Sequence, residues 1–349
     1  MSIQSIRAAL LEEVILHLLG KLGYSTIESP SGDPQLRSGG AGLELQGRGG
    51  WHQMDALASL DASPPFVYPL RLIVEAKCYR DRSTIGVEVV RNIVGVLKDI
   101  SENCVSHSLD NFEGQLIQPA RFNYVAALFS TSGFTKPAIR YAVAHQVFLI
   151  QYKRVHLFKP VIDAIRSLNK QHFKAKMLAG AKSTLRARSC ARSIFSGDDD
   201  PQSEVLSIRG QELISTIAEL LSKIGGSYFG MLQGRWPIHL LSRKPIPECH
   251  FETSDTLECR VYGLHGNRWS FVPLIGSDGD PDWFRLEFDL PLEIASMIRD
   301  LGDDRVAIAG AKKSHFSYIA LTGIIGGVRR QVKLTLNEEW IENYIQRYS

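Results

Sequence analysis

Three ionisable residues stand in a pattern that suits phosphodiester chemistry. Asp55 closes the stretch Gly47-Arg-Gly-Gly-Trp-His-Gln-Met-Asp55, and after nineteen intervening residues Glu75 follows, with Lys77, in Ile73-Val-Glu-Ala-Lys77. Side chains two apart on a strand share a face, so Glu75 and Lys77 project together while Val74 and Ala76 face the other layer. An acid and a base at the end of an apolar run are costly unless solvated, paired or bound to a metal. Asp55, from the preceding strand-like segment, adds a second carboxylate. Two carboxylates and a carbonyl oxygen suit a hard ion such as Mg²⁺, with water and a substrate phosphate completing its shell. The competing reading is a structural ion pair on a sheet surface.

The elements that would position these groups can be read from periodicity. Apolar residues from Leu10 to Leu22 recur at three- and four-residue spacing and end at Gly23, which predicts an amphipathic helix over residues 6–22. A Gly/Ser/Pro-rich stretch leads to strands near residues 54–60 and 70–76, a helix through Val87–Leu97, a buried strand at Tyr124–Phe129, a helix near 137–145 and a strand at 147–152. That order predicts an α/β fold with a mixed central sheet flanked by helices. Residues 170–192 hold seven Lys/Arg and no Asp or Glu before GDDDPQSE reverses the sign, so 169–204 reads as a linker, with a phosphate-touching basic arm as the alternative. Residues 205–349 read as an α+β or small barrel-like domain. Phe284–Leu290 alternates apolar and charged residues like a half-buried strand, His265-Gly-Asn267 suits a hairpin turn, and Asn337 suits the cap of a final helix over 338–348.

The 349 residues carry a net charge of +3, permitting an acidic partner without demanding one. The chain has no apolar run of membrane-spanning length, and its N-terminus reads as a mature helix rather than a signal peptide, so a cytoplasmic location is expected. Five scattered cysteines form neither a disulfide framework nor a zinc knuckle. The glycines at 39–50 lack the register of a nucleotide-binding loop, and Asp278, Asp280 and Asp282 lack the rest of a calcium loop.

Taken in order and spacing, the helix ending Leu22-Gly23-Tyr24, GRGGWHQMDALA (47–58), VEAKCY (74–79), the helix at 87–97 and FSTSGFTKPAIRYA (129–142) resemble the Mrr-type restriction endonuclease catalytic domain of the PD-(D/E)xK nucleases, over roughly residues 5–160. Longer members of that family usually carry a winged-helix reader ahead of the nuclease; here the nuclease comes first, so the mode of target recognition does not transfer. The resemblance implies that Asp55, Glu75 and the Ala76 carbonyl hold Mg²⁺, with Mn²⁺ as a substitute. It implies that Lys77 orients or activates the attacking water and stabilises transition-state charge, and that Gln53 bonds near the scissile phosphate. A further helical acid matches Glu12, which a helical wheel places at the edge of the apolar stripe, with Glu13 on the far side.

Ser130, Thr131 and Ser132, between a strand and a helix, are candidate DNA-phosphate donors or else turn and cap residues. Arg48 and Trp51 touch DNA backbone or anchor their loop. Arg235-Trp236 and Arg268-Trp269 suit stacking on bases or simply pack. The expected organisation is a nuclease domain at 1–168, a linker at 169–204 and a recognition or regulatory domain at 205–349. The expected function is metal-dependent DNA cleavage of restriction or phage-defence type by a homodimer or higher oligomer, with other defence-system proteins as further partners. A structure-specific repair or junction nuclease and a non-catalytic DNA-binding or sensor module are the alternatives.

Overall fold

The computed structural model describes residues 3–40, 42–60, 66–80, 82–110, 121–174, 181–198, 205–263 and 268–348. They fall into two units: residues 1–20, 24–149 and 162–219 form the first, and residues 21–23, 150–161 and 220–349 the second.

From the N-terminus the elements are α1 (Ile3–Gly20), β1 (Ser25–Thr26), β2 (Leu36–Gly39), β3 (Gly42–Gln46), β4 (Trp51–Gln53), β5 (Ala56–Leu60), β6 (Leu70–Lys77), α2 (Val87–Asp110), β7 (Asn123–Ser130), α3 (Lys136–Ala144), β8 (Phe148–Gln151), α4 (Lys159–Ser167), α5 (Ala181–Phe195) and α6 (Ile208–Ser222). The central sheet has the order β1-β5-β6-β7-β8, and β2-β3-β4 form a second, small sheet. Strand β5 runs antiparallel to β1 and β6, whereas β6 runs parallel to β7, so the sheet is mixed as the periodicity predicts. Helix α1 packs on β5 and β6, and α2 packs on α3 and β7. Thr135 caps α3, its hydroxyl accepting from the Ala138 N–H at 3.3 Å.

Two expectations change in this unit. Helix α1 is not amphipathic in its setting: it is buried nearly all round, with Glu12 and Glu13 among its buried residues. The cover on its far side comes from the basic segment expected to be a linker, of which 175–180 and 199–204 lie outside the described residues. Residues 181–195 of that segment form α5, which packs along α1. A run of cations without local acids folds here because its partners are carboxylates distant in sequence.

The second unit continues with β9 (Gly226–Leu232), β10 (Trp236–Ser242), β11 (Thr256–Tyr262), β12 (Trp269–Pro273), β13 (Leu286–Phe288), α7 (Leu292–Asp300), α8 (Arg305–His315), β14 (Tyr318–Ile325), β15 (Val328–Leu336) and α9 (Glu338–Tyr348). Seven strands close a barrel in the order β10-β13-β12-β11-β15-β14-β9, which removes free sheet edges. Its interior is filled by Trp269, Phe271, Phe288 and Phe316, with Trp269 stacked on Phe316. Trp269 is therefore a core residue, and the neighbouring Arg268 pairs with Glu287, so this couple is withdrawn as a base-stacking pair. Arg235 does lie over the partly buried Trp236, at 5.0 Å.

The alternation at 284–290 does not mark a solvated face. Glu287 and Asp289 are buried, and the 150–161 segment bonds one oxygen of each: the N–H groups of Leu157 and Arg154 donate to their carboxylates at 3.2 and 3.0 Å. Helix α9 begins where expected, with Asn337 accepting from the Trp340 N–H at 2.7 Å. The hairpin expected at 265–267 lies outside the described residues. No helix among the described residues is long and apolar enough to cross a membrane.

Candidate active site

Asp55 sits where the chain leaves β4 of the small sheet and enters β5 of the central sheet. Gln53 ends β4, so the two residues are not successive positions of one strand. The backbone crossing between sheets nevertheless brings both to the same cavity. Glu75 and Lys77 end β6 opposite Leu128 and Ser130 of β7. Their side chains share a half-buried face, while Val74 and Ala76 are buried on the other, as the two-residue period requires. Lys77 Nζ bonds directly to Glu75 Oε1. Asp55 lies close enough to Glu75 to push its pKa up.

A cavity of about 630 Å³ opens here, its wall including Glu12, Gln53, Asp55 and Lys77 together with Thr184, Leu185, Arg188 and Arg192 of α5. Glu12 is 3% exposed, and Arg188 Nη1 meets its Oε2 at 2.9 Å. Glu13, 1% exposed, accepts from Arg188 Nε at 2.6 Å and from Arg192 Nε at 2.6 Å; Arg192 also reaches Glu28 at 2.6 Å. Glu12 thus lines the cavity and Glu13 does not, and the far side of α1 is an ion-pair interface and not a solvated surface.

The electrostatics follow from crowding. Burial raises the pKa of Glu75; Lys77 opposes this and Asp55 reinforces it. Burial likewise holds Glu12 well above the usual carboxylate range, against the pull of Arg188 and with the push of Asp55 and Glu75. Burial works to lower the pKa of Lys77, but Glu75, Glu12 and Asp55 outweigh it and the net shift is upward. Lys77 is therefore an ammonium donor in this setting. Asp55 and Glu75 both push the Glu12 pKa up, and Asp55 pushes up that of Glu75, a mutual repulsion that a divalent cation would relieve. Among the described residues no three His, Cys, Asp or Glu side chains converge to hold a metal. The donor chemistry that fits is two hard carboxylates, Asp55 and Glu75, completed by a main-chain carbonyl such as that of Ala76 and by water.

The remaining candidates lie elsewhere. Ser130, Thr131 and Ser132 are 0%, 1% and 0% exposed. The two serine hydroxyls bond each other at 3.2 Å, and Thr131 donates to the Tyr79 carbonyl at 2.8 Å while accepting from Arg166. Buried and bonded to one another and to Tyr79 and Arg166, they tie the end of β7 to its neighbours. Arg48 is exposed, 3.4 Å from Glu102 of α2. Its loop is fixed by Asp99, which accepts from the Gly49 N–H at 2.9 Å and pairs with His52 at 2.6 Å. A Cβ at Gly47 would meet that carboxylate, which would have to shift to admit it. Trp51 stacks under Arg37, whose guanidinium lies 4.2 Å from the ring centre. Sequence reasoning missed Arg188 and Arg192. The available signal was a pair of adjacent acids inside an otherwise apolar helix, which demands cations from elsewhere.

Residues 3–157 match the restriction endonuclease family, Mrr catalytic type. No curated protein matches the chain. A solved structure, that of the protein of unknown function AF1548, aligns over 61% of this chain and 96% of its own at 14% identity and a TM-score of 0.36, too distant to carry an argument.

Proposed function

We propose that this protein, whose residues 3–157 match the Mrr-type restriction-endonuclease family, is a Mg²⁺-dependent DNA endonuclease in which Asp55, Glu75 and Lys77 form the hydrolytic centre. The observation that carries this reading is the meeting of those three groups, from two separate strand ends, beside one open cavity.

Asp55 and Glu75, with the Ala76 carbonyl, would hold the ion; the chemistry it supplies is acidification of a water and neutralisation of phosphate charge. Mn²⁺ would serve in its place. Lys77, kept charged by its neighbours, donates to a non-bridging phosphate oxygen or to the attacking water and is suited to stabilising charge, not to taking a proton. Gln53, exposed at the cavity wall, positions the phosphate by hydrogen bonding. The barrel-bearing unit carries no comparable carboxylate and lysine set on paired strand ends among its described residues and is assigned recognition or control. Cutting both strands of a duplex calls for two such centres, hence a homodimer or larger assembly on DNA. We assign it a role in restriction or phage defence, in the cytoplasm and beside other defence proteins, a reading that the kind of domain supports.

Supercoiled plasmid incubated with the purified protein should be nicked and linearised with Mg²⁺ and left intact with chelator. Cleavage that persists in chelator would refute the metal-dependent reading. A preference for branched over linear duplex would favour a junction nuclease.

A further inference from the structure

The family match ends at residue 157, yet the cavity wall beside Glu12 is built by α5, at residues 181–195. We propose that Arg188 is a positioning residue for hydrolysis: by gripping Glu12 and Glu13 at once, it fixes the Glu12 carboxylate toward Asp55 and Glu75. This rests on the nuclease reading above.

The geometry is specific. The Arg188 fork splits between adjacent residues of α1, with Nη1 on Glu12 at 2.9 Å and Nε on Glu13 at 2.6 Å. A guanidinium is planar and rigid, so binding two carboxylates fixes the orientation of each, which a lysine ammonium would not do. Arg192, one helical turn on, occupies both oxygens of Glu13, at 2.6 and 2.8 Å, and also holds Glu28. Glu13 is thereby an immobile post against which Arg188 is braced. Only the other arm of the fork ends at the cavity: Glu12 and Arg188 line it and Glu13 does not. A clamp serving stability alone would have no need to place one of its two carboxylates among the reacting groups. Glu12 carries three side-chain torsions, and the Arg188 bond removes that freedom where a displacement of one ångström can cost roughly 100-fold in rate.

The test is single-turnover cleavage at saturating DNA and Mg²⁺ by the full chain. It compares wild type, Arg188→Met, Arg188→Lys, Glu12→Gln and the double variant Glu12→Gln/Arg188→Met, with Glu75→Ala as the check on the centre itself. Arg188→Met and Glu12→Gln should each slow cleavage roughly 10–100-fold with DNA affinity little changed, and the double variant should be no slower than Glu12→Gln. Arg188→Lys should fall between wild type and Arg188→Met. A wild-type rate in Arg188→Met or Glu12→Gln, or a double variant slowed by the product of the two single effects, would overturn the role of Arg188. Should Arg188→Met fail to fold by circular dichroism, the same cycle is run with Arg188→Lys and read by the same rule. Wild-type cleavage by Glu75→Ala would instead sink the underlying site assignment, a distinct outcome.

Discussion

Arg188 Nη1 stands 2.9 Å from Glu12 Oε2, joining a helix outside the family-matched segment to the first helix within it. The interaction makes the basic stretch after residue 168 part of the first unit, which takes in residues 162–219. A fragment ending at 168 would leave two carboxylates of α1 without their cations.

The Glu13 post gives the first prediction. Glu13→Ala leaves Arg188 and Arg192 partly buried without their shared partner, and breaking such a pair costs about 2–4 kcal/mol once the partial exposure of Arg192 is discounted. Urea unfolding of the full chain measures it. A loss below about 0.5 kcal/mol, the level of an exposed pair, would show that α5 is not clamped to α1.

The second unit gives a pH prediction. His239, enclosed by Tyr152 and Ser227 at 2.6 and 2.8 Å, has its pKa pushed down to about 3 by burial. Its stabilising contribution is present above its unfolded value of about 6.5 and is lost as pH falls toward 3. Asp289 works the other way: burial raises it to about 6, so its contribution is complete below about 3.9 and is lost as pH rises through 6. Between about pH 4 and 6 the two oppose each other. Asp289→Asn removes one side, and relative to wild type its stability should fall by up to about 1.4 kcal/mol per pH unit on acidification through that window. Trp236, Trp269, Trp283 and Trp340 all report on this unit, so fluorescence-detected unfolding reads the effect. Parallel wild-type and variant curves would contradict it.

DNA contact should follow exposure. Arg48→Ala is expected to weaken binding evenly across sequences and to lower the salt slope by about 1, with the cleavage step unchanged. Thr131→Val should leave affinity unaltered and reduce stability, since its hydroxyl is spent on Tyr79 and Arg166. Fluorescence anisotropy across a salt series separates the two, and an affinity loss in Thr131→Val would return the 130–132 turn to the interface.

The pattern at Glu75 and Lys77 was legible because a strand's two-residue period depends on local backbone alone. Asp55 was legible by type and spacing, although its position at a crossing between two sheets was not, since β4 and β5 look like one continuous segment until their separate partners are known. Burial of Ser130, Thr131 and Ser132 was hidden for a related reason: a polar turn after a strand reads as exposed, and only Arg166 and the Tyr79 carbonyl show otherwise. The role of α5 depended on pairing across some 175 residues, to which periodicity is blind. The barrel was legible as short strands, but its closure by the parallel β11–β15 pair was not.

The central claim is that Asp55, Glu75 and Lys77 hydrolyse DNA as one metal-dependent centre. The most direct measurement follows binding and single-turnover cleavage of the same labelled duplex by wild type and by Asp55→Ala, Glu75→Ala and Lys77→Ala, with binding read in Ca²⁺ and cleavage started by Mg²⁺. The account predicts near-wild-type binding and a loss of roughly 10³-fold or more in cleavage for each variant, because these groups act on the transition state. Cleavage at the wild-type rate by any one of the three variants would contradict it.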